Sequence, residues 1–168
     1  MTKKIILNRV NTNSRYYKKY VALVDEGDFK RVNKFNWTVL VMKYTQYAQS
    51  VINGKHIYLH RFIINPNPEQ QIDHIDGNGL NCVSSNLRMC SPSENAQNQR
   101  VQGSKKSSKF KGVVYYGSIT GNKKWRATIH KDSKRYSLGC HLTQEDAALR
   151  YNEEAKKLFG KFAKLNII

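Results

Sequence analysis

Cysteine is scarce in this chain. Cys82, Cys90 and Cys140 are odd in number and include no Cys-x-x-Cys pair. That argues against a structural zinc knuckle and against a disulfide framework, and a reducing cytoplasm is the natural compartment. Long apolar runs are missing too. No stretch approaches the length of a membrane span, and the opening Met-Thr-Lys-Lys-Ile-Ile-Leu-Asn-Arg has too short an apolar core for a signal peptide. Acidic residues are few, 12 against 29 Lys and Arg, which leaves a net charge of +17. A soluble protein so basic is expected to meet a polyanion, and nucleic acid is the usual one.

The positive charge is uneven. Residues 1 to 100 hold 14 basic and 7 acidic residues, while the shorter segment 101 to 168 holds 15 and 5. Between 101 and 135 only Asp132 opposes the lysines and arginines. The chain has no internal repeat, and its 168 residues suffice for one domain or two small ones.

Taken in order, residues 20 to 24 read as a short strand. Asp25 then offers a helix N-cap with Asp28 three residues on, and Phe29, Val32, Phe35 and Trp37 supply an apolar side. Strands are expected near 38–43, 46–52 and 55–59, because Asn53-Gly54 between two β-favouring runs is a hairpin signal. A short helical or extended piece, 60–64, is stopped by Asn65-Pro66-Asn67-Pro68. Residues 101–109 are small, polar and basic, the composition of a linker that can track a phosphate backbone. Strands at 110–116, 124–130 and 135–138 follow. In the middle one Trp125, Ala127 and Ile129 share a face, and Lys124, Arg126, Thr128 and His130 share the other. Thr143 caps a helix in which Ala147, Tyr151, Ala155 and Leu158 recur at helical spacing, and Gly160 ends it.

The chemistry concentrates in residues 72 to 100. Asp73 and His74 are neighbours, so strand alternation aims them differently and suggests different tasks: Asp73 to hold a divalent cation, His74 to activate water. Oxygen donors from Asp and Asn suit Mg²⁺ or Mn²⁺. Ser91 as N-cap, Pro92 at the first helical position and Glu94 closing the capping box put Asn95 on a rigid first turn, as a metal ligand requires. Taken alone, an Asp-His pair reads more readily as a hydrogen-bonded surface pair than as a nuclease site. Asp76-Gly77-Asn78-Gly79 suggests a calcium loop but lacks the later ligands of an EF-hand.

His60-Arg61, Asp73-His74, Asp76-Gly77-Asn78, Asn81, Asn86-Leu87-Arg88 and Glu94-Asn95 together resemble the HNH nuclease family, in particular the small phage and intron-encoded homing endonucleases. The resemblance covers residues 55–100. It implies two strands and a helix around one divalent ion, Mg²⁺ or Mn²⁺, with His74 as general base and Asp73 and Asn95 as metal ligands. Asn86 is then expected to brace the loop and orient His74. Arg61 either reaches a phosphate or makes a structural ion pair, and Arg88 is a further candidate for DNA contact. Cys82 and Cys90 read as buried thiols.

Phe110-Lys111-Gly112-Val113, Trp125-Arg126-Ala127, Leu138-Gly139, Glu145-Asp146-Ala147-Ala148, Tyr151, Ala155 and Leu158-Phe159-Gly160 resemble the DNA-binding domain of the plant APETALA/ethylene-response regulators. That likeness implies a sheet placed in the major groove, with Lys111, Tyr115, Trp125, Arg126, Thr128, Lys134 and Arg135 toward DNA. Trp125 is alternatively an anchor between sheet and helix. Arg100, Lys124 and, in the linker, Lys105 and Lys106 complete the expected contacts.

The expected fold class is α+β: an HNH ββα-metal core with an N-terminal β-rich extension, and a C-terminal three-stranded antiparallel sheet packed on one helix. The expected domains are 1–100 and 110–168, joined by 101–109. The expected function is a divalent-metal-dependent homing-type endonuclease that cuts double-stranded DNA, with nicking of one strand and cleavage of both left open. It would be encoded by a phage or mobile element, act in the cytoplasm of a bacterial host, and have no membrane partner. The competing reading is a catalytically silent DNA-binding or regulatory protein on the same scaffold.

Overall fold

The computed structural model describes residues 1–9, 20–99, 107–117, 122 and 124–168. The fold is α+β, and packing divides the chain into two compact units, Met1–Ser91 and Pro92–Ile168. The division falls ahead of the helix at residue 92, whereas composition alone pointed to the polar stretch 101–109.

In the first unit, β1 (Thr2–Arg9) pairs antiparallel with β2 (Tyr20–Asp25) and parallel with β3 (Thr38–Val41). β3, β4 (Gln46–Ile52) and β5 (Lys55–Tyr58) then form an antiparallel meander, giving a five-stranded sheet of order β2-β1-β3-β4-β5. Strand β1 was not expected from sequence, although Ile5 and Leu7 face inward while Lys4 and Ile6 face out. The β4–β5 turn lies where expected: Asn53 and Gly54 have φ of 51° and 75°, the pair of positive values that such a hairpin needs.

Helix α1 (Glu26–Val32) follows Asp25, but the Asp25 carboxylate does not cap it. Instead its Oδ2 accepts from the Ser84 backbone N–H at 2.7 Å, which holds the Asp25 carboxyl below its usual range. Helix α2 (Leu59–Ile64) ends at Asn65 in the left-handed conformation (φ 50°). Strands β6 (Gln71–His74) and β7 (Leu87–Cys90) form a two-stranded antiparallel sheet. Ile72, Leu80, Cys82 and Leu87 from this hairpin join Ile5, Val24, Trp37, Val39 and Leu59 in one apolar core. The N-terminal sheet and the β6–β7 hairpin therefore stand or fall together.

The second unit opens with helix α3 (Pro92–Asn98). Its sheet has the order β10-β9-β8, from β8 (Val113–Tyr115), β9 (Trp125–Lys131) and β10 (Lys134–His141). Helix α4 (Gln144–Phe159) lies over one face and buries Ala147, Ala148, Tyr151, Ala155 and Phe159 against Phe110, Val113, Ala127 and Ile129. The Thr143 side chain accepts from the Asp146 N–H at 3.0 Å, the expected N-cap. Strand β10 runs past its expected end because the register slips between Ser137 and Cys140, a bulge at Gly139. Among the described residues no helix is long and apolar enough to cross a membrane.

Candidate active site

Strand β6 delivers Asp73 and His74, both buried, to the mouth of the loop 75–86. Sheet scaffolding outside the hairpin holds that loop. The Leu23 N–H donates to Leu80 O and the Cys82 N–H to Leu23 O, each at 2.9 Å, so edge strand β2 grips the loop as a further strand would. Gly79 makes a second approach possible: a Cβ there would stand 2.3 Å from Gln46 O and 2.7 Å from the Tyr47 ring.

Inside the loop, amides and one carboxylate do the bracing. Asn86 Nδ2 donates to Asp76 Oδ1 (3.0 Å) and to Asn81 O (2.8 Å), and Asn86 Oδ1 accepts from the Asp76 N–H (3.0 Å). The Asn86 carbonyl accepts from the Ile75 N–H at 2.9 Å, directly after His74. Asp76 is the hub, also accepting from the Asn78 N–H (2.7 Å) and Asn81 Nδ2 (2.8 Å). Burial pushes its carboxyl up, but the hydrogen bonds from Asn81, Asn78 and Asn86 outweigh it and leave the pKa lowered. Asp-Gly-Asn-Gly reads as a turn in sequence, and only the fold shows Asp76 organising it.

Around His74 the walls are rings. His60 lies edge-on to it with centroids 5.0 Å apart, and Tyr47 tilts against it at 5.9 Å. Tyr58 stacks on His60 at 5.5 Å. The Cys82 sulfur is 3.9 Å from His74 Nε2. Burial lowers the His74 pKa, against the opposing pull of Asp76 and Asp73. Burial, then the neighbouring His74 and Arg61, lowers His60 to about 3, and burial pushes the Cys82 thiol up to about 12. His60 is thus a neutral ring, and Cys82 a thiol, throughout the neutral range. Sequence reasoning placed His60 only in the approach to the motif. Its contact with His74 depends on α2 packing beside β4 and β5, which no local pattern reveals.

Asp73 Oδ2 accepts from Arg88 Nε (2.8 Å) and Nη2 (2.5 Å), an ion pair bridging paired positions of β6 and β7. Arg88, expected toward DNA, is spent on Asp73. Among the described residues Arg61 makes no ion pair. Its guanidinium donates to the carbonyls of Gln70 (2.9 Å) and Asn67 (3.3 Å), closing the prolyl loop. Asn95 stands on α3 in the second unit, so its partnership with Asp73 stays an expectation of the motif. A carboxylate and an amide offer hard oxygen donors, which fits Mg²⁺ or Mn²⁺ sharing its shell with water and phosphate. Among the described residues no group of three His, Cys, Asp or Glu forms a ready-made metal cage. Cys82 and Cys90 are buried free thiols, as expected.

In the second unit the face of the sheet away from α4 carries Arg126, with its guanidinium 3.7 Å over the Tyr116 ring and its backbone between Val114 and Cys140. Lys124, Lys134, Arg135 and Tyr115 are exposed. Trp125 lies against the α4-side cluster and meets Tyr115 edge-on at 5.3 Å, so it serves as an anchor. Thr128 is buried rather than exposed, and its backbone N–H donates to Gly112 O at 2.7 Å, one step beyond the β8–β9 pairing. The Lys111 ammonium is also engaged, donating to the carbonyls of Gln97 (2.5 Å) and Gln99 (2.8 Å). Arg100, Lys105 and Lys106 lie outside the described residues.

Comparisons with known proteins bear on the His74 hairpin and on most of the chain. The family model described as HNH endonuclease matches residues 65–97. A protein of Acanthamoeba polyphaga mimivirus, named as an uncharacterized HNH endonuclease, is 34% identical over 153 residues, covering 88% of this chain and 75% of its own. Protein 3.8 of Escherichia phage T7 is 33% identical over 93 residues, covering 55% of this chain and 73% of its own. No solved structure matches. With the model's match lying on β6, the braced loop, β7 and α3, and the mimivirus relative aligned over most of both chains, the chain belongs to the HNH endonuclease family.

Proposed function

We propose that this protein is a divalent-metal-dependent DNA endonuclease of the homing type that hydrolyses phosphodiester bonds of double-stranded DNA one strand at a time. The observation that carries this reading is His74, a buried imidazole beside a buried carboxylate at the end of β6, on a loop that Asn86 ties down at four points. His74 takes a proton from water as the water oxygen forms its bond to phosphorus. The bond from phosphorus to the leaving sugar oxygen breaks, and that oxygen is protonated from solvent. Asp73 and Asn95 are the residues that would hold the cation, and when bound it would offset the charge on the phosphate and the leaving oxygen. Asn86 positions His74 through the Ile75 N–H and Asp76. One such site serves one strand, so a double-strand break needs two sites or two successive nicks.

The C-terminal unit supplies DNA affinity. Arg126, Lys134, Arg135, Lys124 and Tyr115 are the residues proposed to touch DNA, which keeps the reading of a sheet laid along the groove. The Asp73–Arg88 pair favours a second reading, a DNA-binding protein without catalysis, since Arg88 holds one Asp73 oxygen, Oδ2, and so competes with a cation for that carboxylate. Supercoiled DNA carrying plausible host sites, incubated with Mg²⁺ or Mn²⁺ and separately with EDTA, decides between them. Metal-dependent conversion to nicked circles is the expected outcome. Retention of bound but uncut circles across the panel would establish the silent binder.

A further inference from the structure

We propose that Lys111 is a positioning residue that fixes helix α3, and with it Asn95, inside the C-terminal unit. The functional half of this inference rests on the reading of Asn95 as a metal ligand; the structural half does not.

Helix α3 spans only Pro92–Asn98. A helix of two turns is unstable by itself, because few backbone bonds offset its costly nucleation, and its last carbonyls have no partners within the helix. The Lys111 ammonium meets that need, donating to Gln97 O and Gln99 O at the C-terminal end. A cation there satisfies the exposed carbonyls and complements the negative end of the helix dipole. The 3₁₀ turn Gly160–Phe162 packs against the same helix.

Lys111 is itself held unusually firmly. Its N–H donates to Asn166 Oδ1 at 2.7 Å, and its carbonyl accepts from Asn166 Nδ2 at 3.1 Å. Asn166 is clamped in turn by Asn152 of α4, through Asn166 N–H to Asn152 Oδ1 (2.7 Å) and Asn152 Nδ2 to Asn166 O (2.9 Å). The next residue, Gly112, has φ of 76° and is packed so that a Cβ would stand 2.1 Å from the Tyr151 ring. A continuous path of hydrogen bonds thus runs from α4 through Asn152, Asn166 and Lys111 to the end of α3. A lysine serving as a mobile phosphate contact needs no such anchoring. This one is built into the unit, and the helix it caps carries a residue of the nuclease motif.

The test compares full-length wild type, Lys111→Met and Lys111→Arg. Hydrogen exchange of the α3 amides is followed without DNA or metal, and DNA affinity with its salt dependence is measured beside the kcat and KM of nicking. Lys111→Met is expected to quicken α3 exchange about tenfold. It should also lower kcat roughly ten- to a hundredfold, with KM for DNA unchanged, and Lys111→Arg should restore both. Should Lys111→Met fail to fold, Lys111→Gln, which keeps donors and loses charge, carries the same expectation. Unchanged α3 exchange, with weaker DNA binding and a salt slope reduced by about one, would make Lys111 a phosphate contact and overturn the proposal. Looser α3 with unaltered kcat would overturn its functional half. A wild type that never nicks DNA would sink the nuclease reading, while the exchange data would still decide whether Lys111 holds α3.

Discussion

The loop from His74 to Asn86 and the sheet of the C-terminal unit are held by opposite chemistries. The loop is braced by Asp76, Asn78, Asn81 and Asn86, which bond to one another and to backbone, and by the edge of β2. The sheet is held by apolar contact with α4, from Phe110, Val113, Ala127 and Ile129 to Ala147, Tyr151 and Phe159. Polar bracing is directional, so it fixes the position of His74 closely, but each bond contributes little net stability. Apolar packing contributes more and specifies less, which suits a module whose proposed DNA contacts are exposed side chains rather than core residues.

The comparison breaks most visibly at the Asp73–Arg88 pair. Removing one partner of a buried ion pair strands the other, so Arg88→Met is expected to destabilise the first unit by about 3–5 kcal/mol. The two tryptophans read this out, since Trp37 lies in the first unit and Trp125 in the second. Fluorescence of a Trp125→Phe background should show an earlier urea transition for Trp37. An Arg88 that served DNA alone would leave that transition in place.

Gly112→Ala is the counterpart in the packed sheet. The new methyl would meet Tyr151 and Thr128 O at a positive φ, and a loss of about 3 kcal/mol is expected in the second unit. Trp125 fluorescence in a Trp37→Phe background measures it. An unshifted transition would show that the turn before β8 yields easily.

Sequence showed more of the packed sheet than of the loop. Trp125, Ala127 and Ile129 alternate toward one face of β9, and Thr143 with Ala147, Tyr151 and Ala155 marks α4, because packing imposes a period. Where a long-range contact decides, the period misleads: Thr128 is buried although it shares a face with Arg126, and β10 outruns Leu138 past its bulge. Asp73, His74, Asn86 and Asn95 stood out because their spacing resembles a family motif. His60 and Asp76 belonged to the same motif, but their contacts with His74 and within the loop arise from tertiary structure, and Tyr47 carried no local signal at all. Asp25 illustrates the same limit, placed correctly ahead of α1 and yet bonded to Ser84.

Acid sharpens the comparison. Unfolded, His60 takes up its proton near its ordinary pKa of about 6.5, whereas folded it does so only at about 3. Between those values the unfolded chain binds the proton and the folded one does not, so stability falls as pH drops through this window. The slope approaches about 1.4 kcal/mol per pH unit for one such histidine. Urea titrations followed at Trp37 should show it, and His60→Phe should flatten it. An equal slope in that variant would place the acid sensitivity elsewhere.

The smallest effect is expected at the α4 cap. Thr143→Ala removes one hydrogen bond to the Asp146 N–H and should cost about 1 kcal/mol at Trp125, with nicking untouched.

The central claim is that His74, held by the braced loop, is the base that activates water. Single-turnover nicking of one DNA substrate by wild type and His74→Ala, at matched saturation and with Mg²⁺, tests it most directly. The account predicts a fall of roughly 10²–10⁴-fold in rate with unchanged DNA affinity. Nicking by His74→Ala within a few fold of wild type, at equal purity and occupancy, would contradict it.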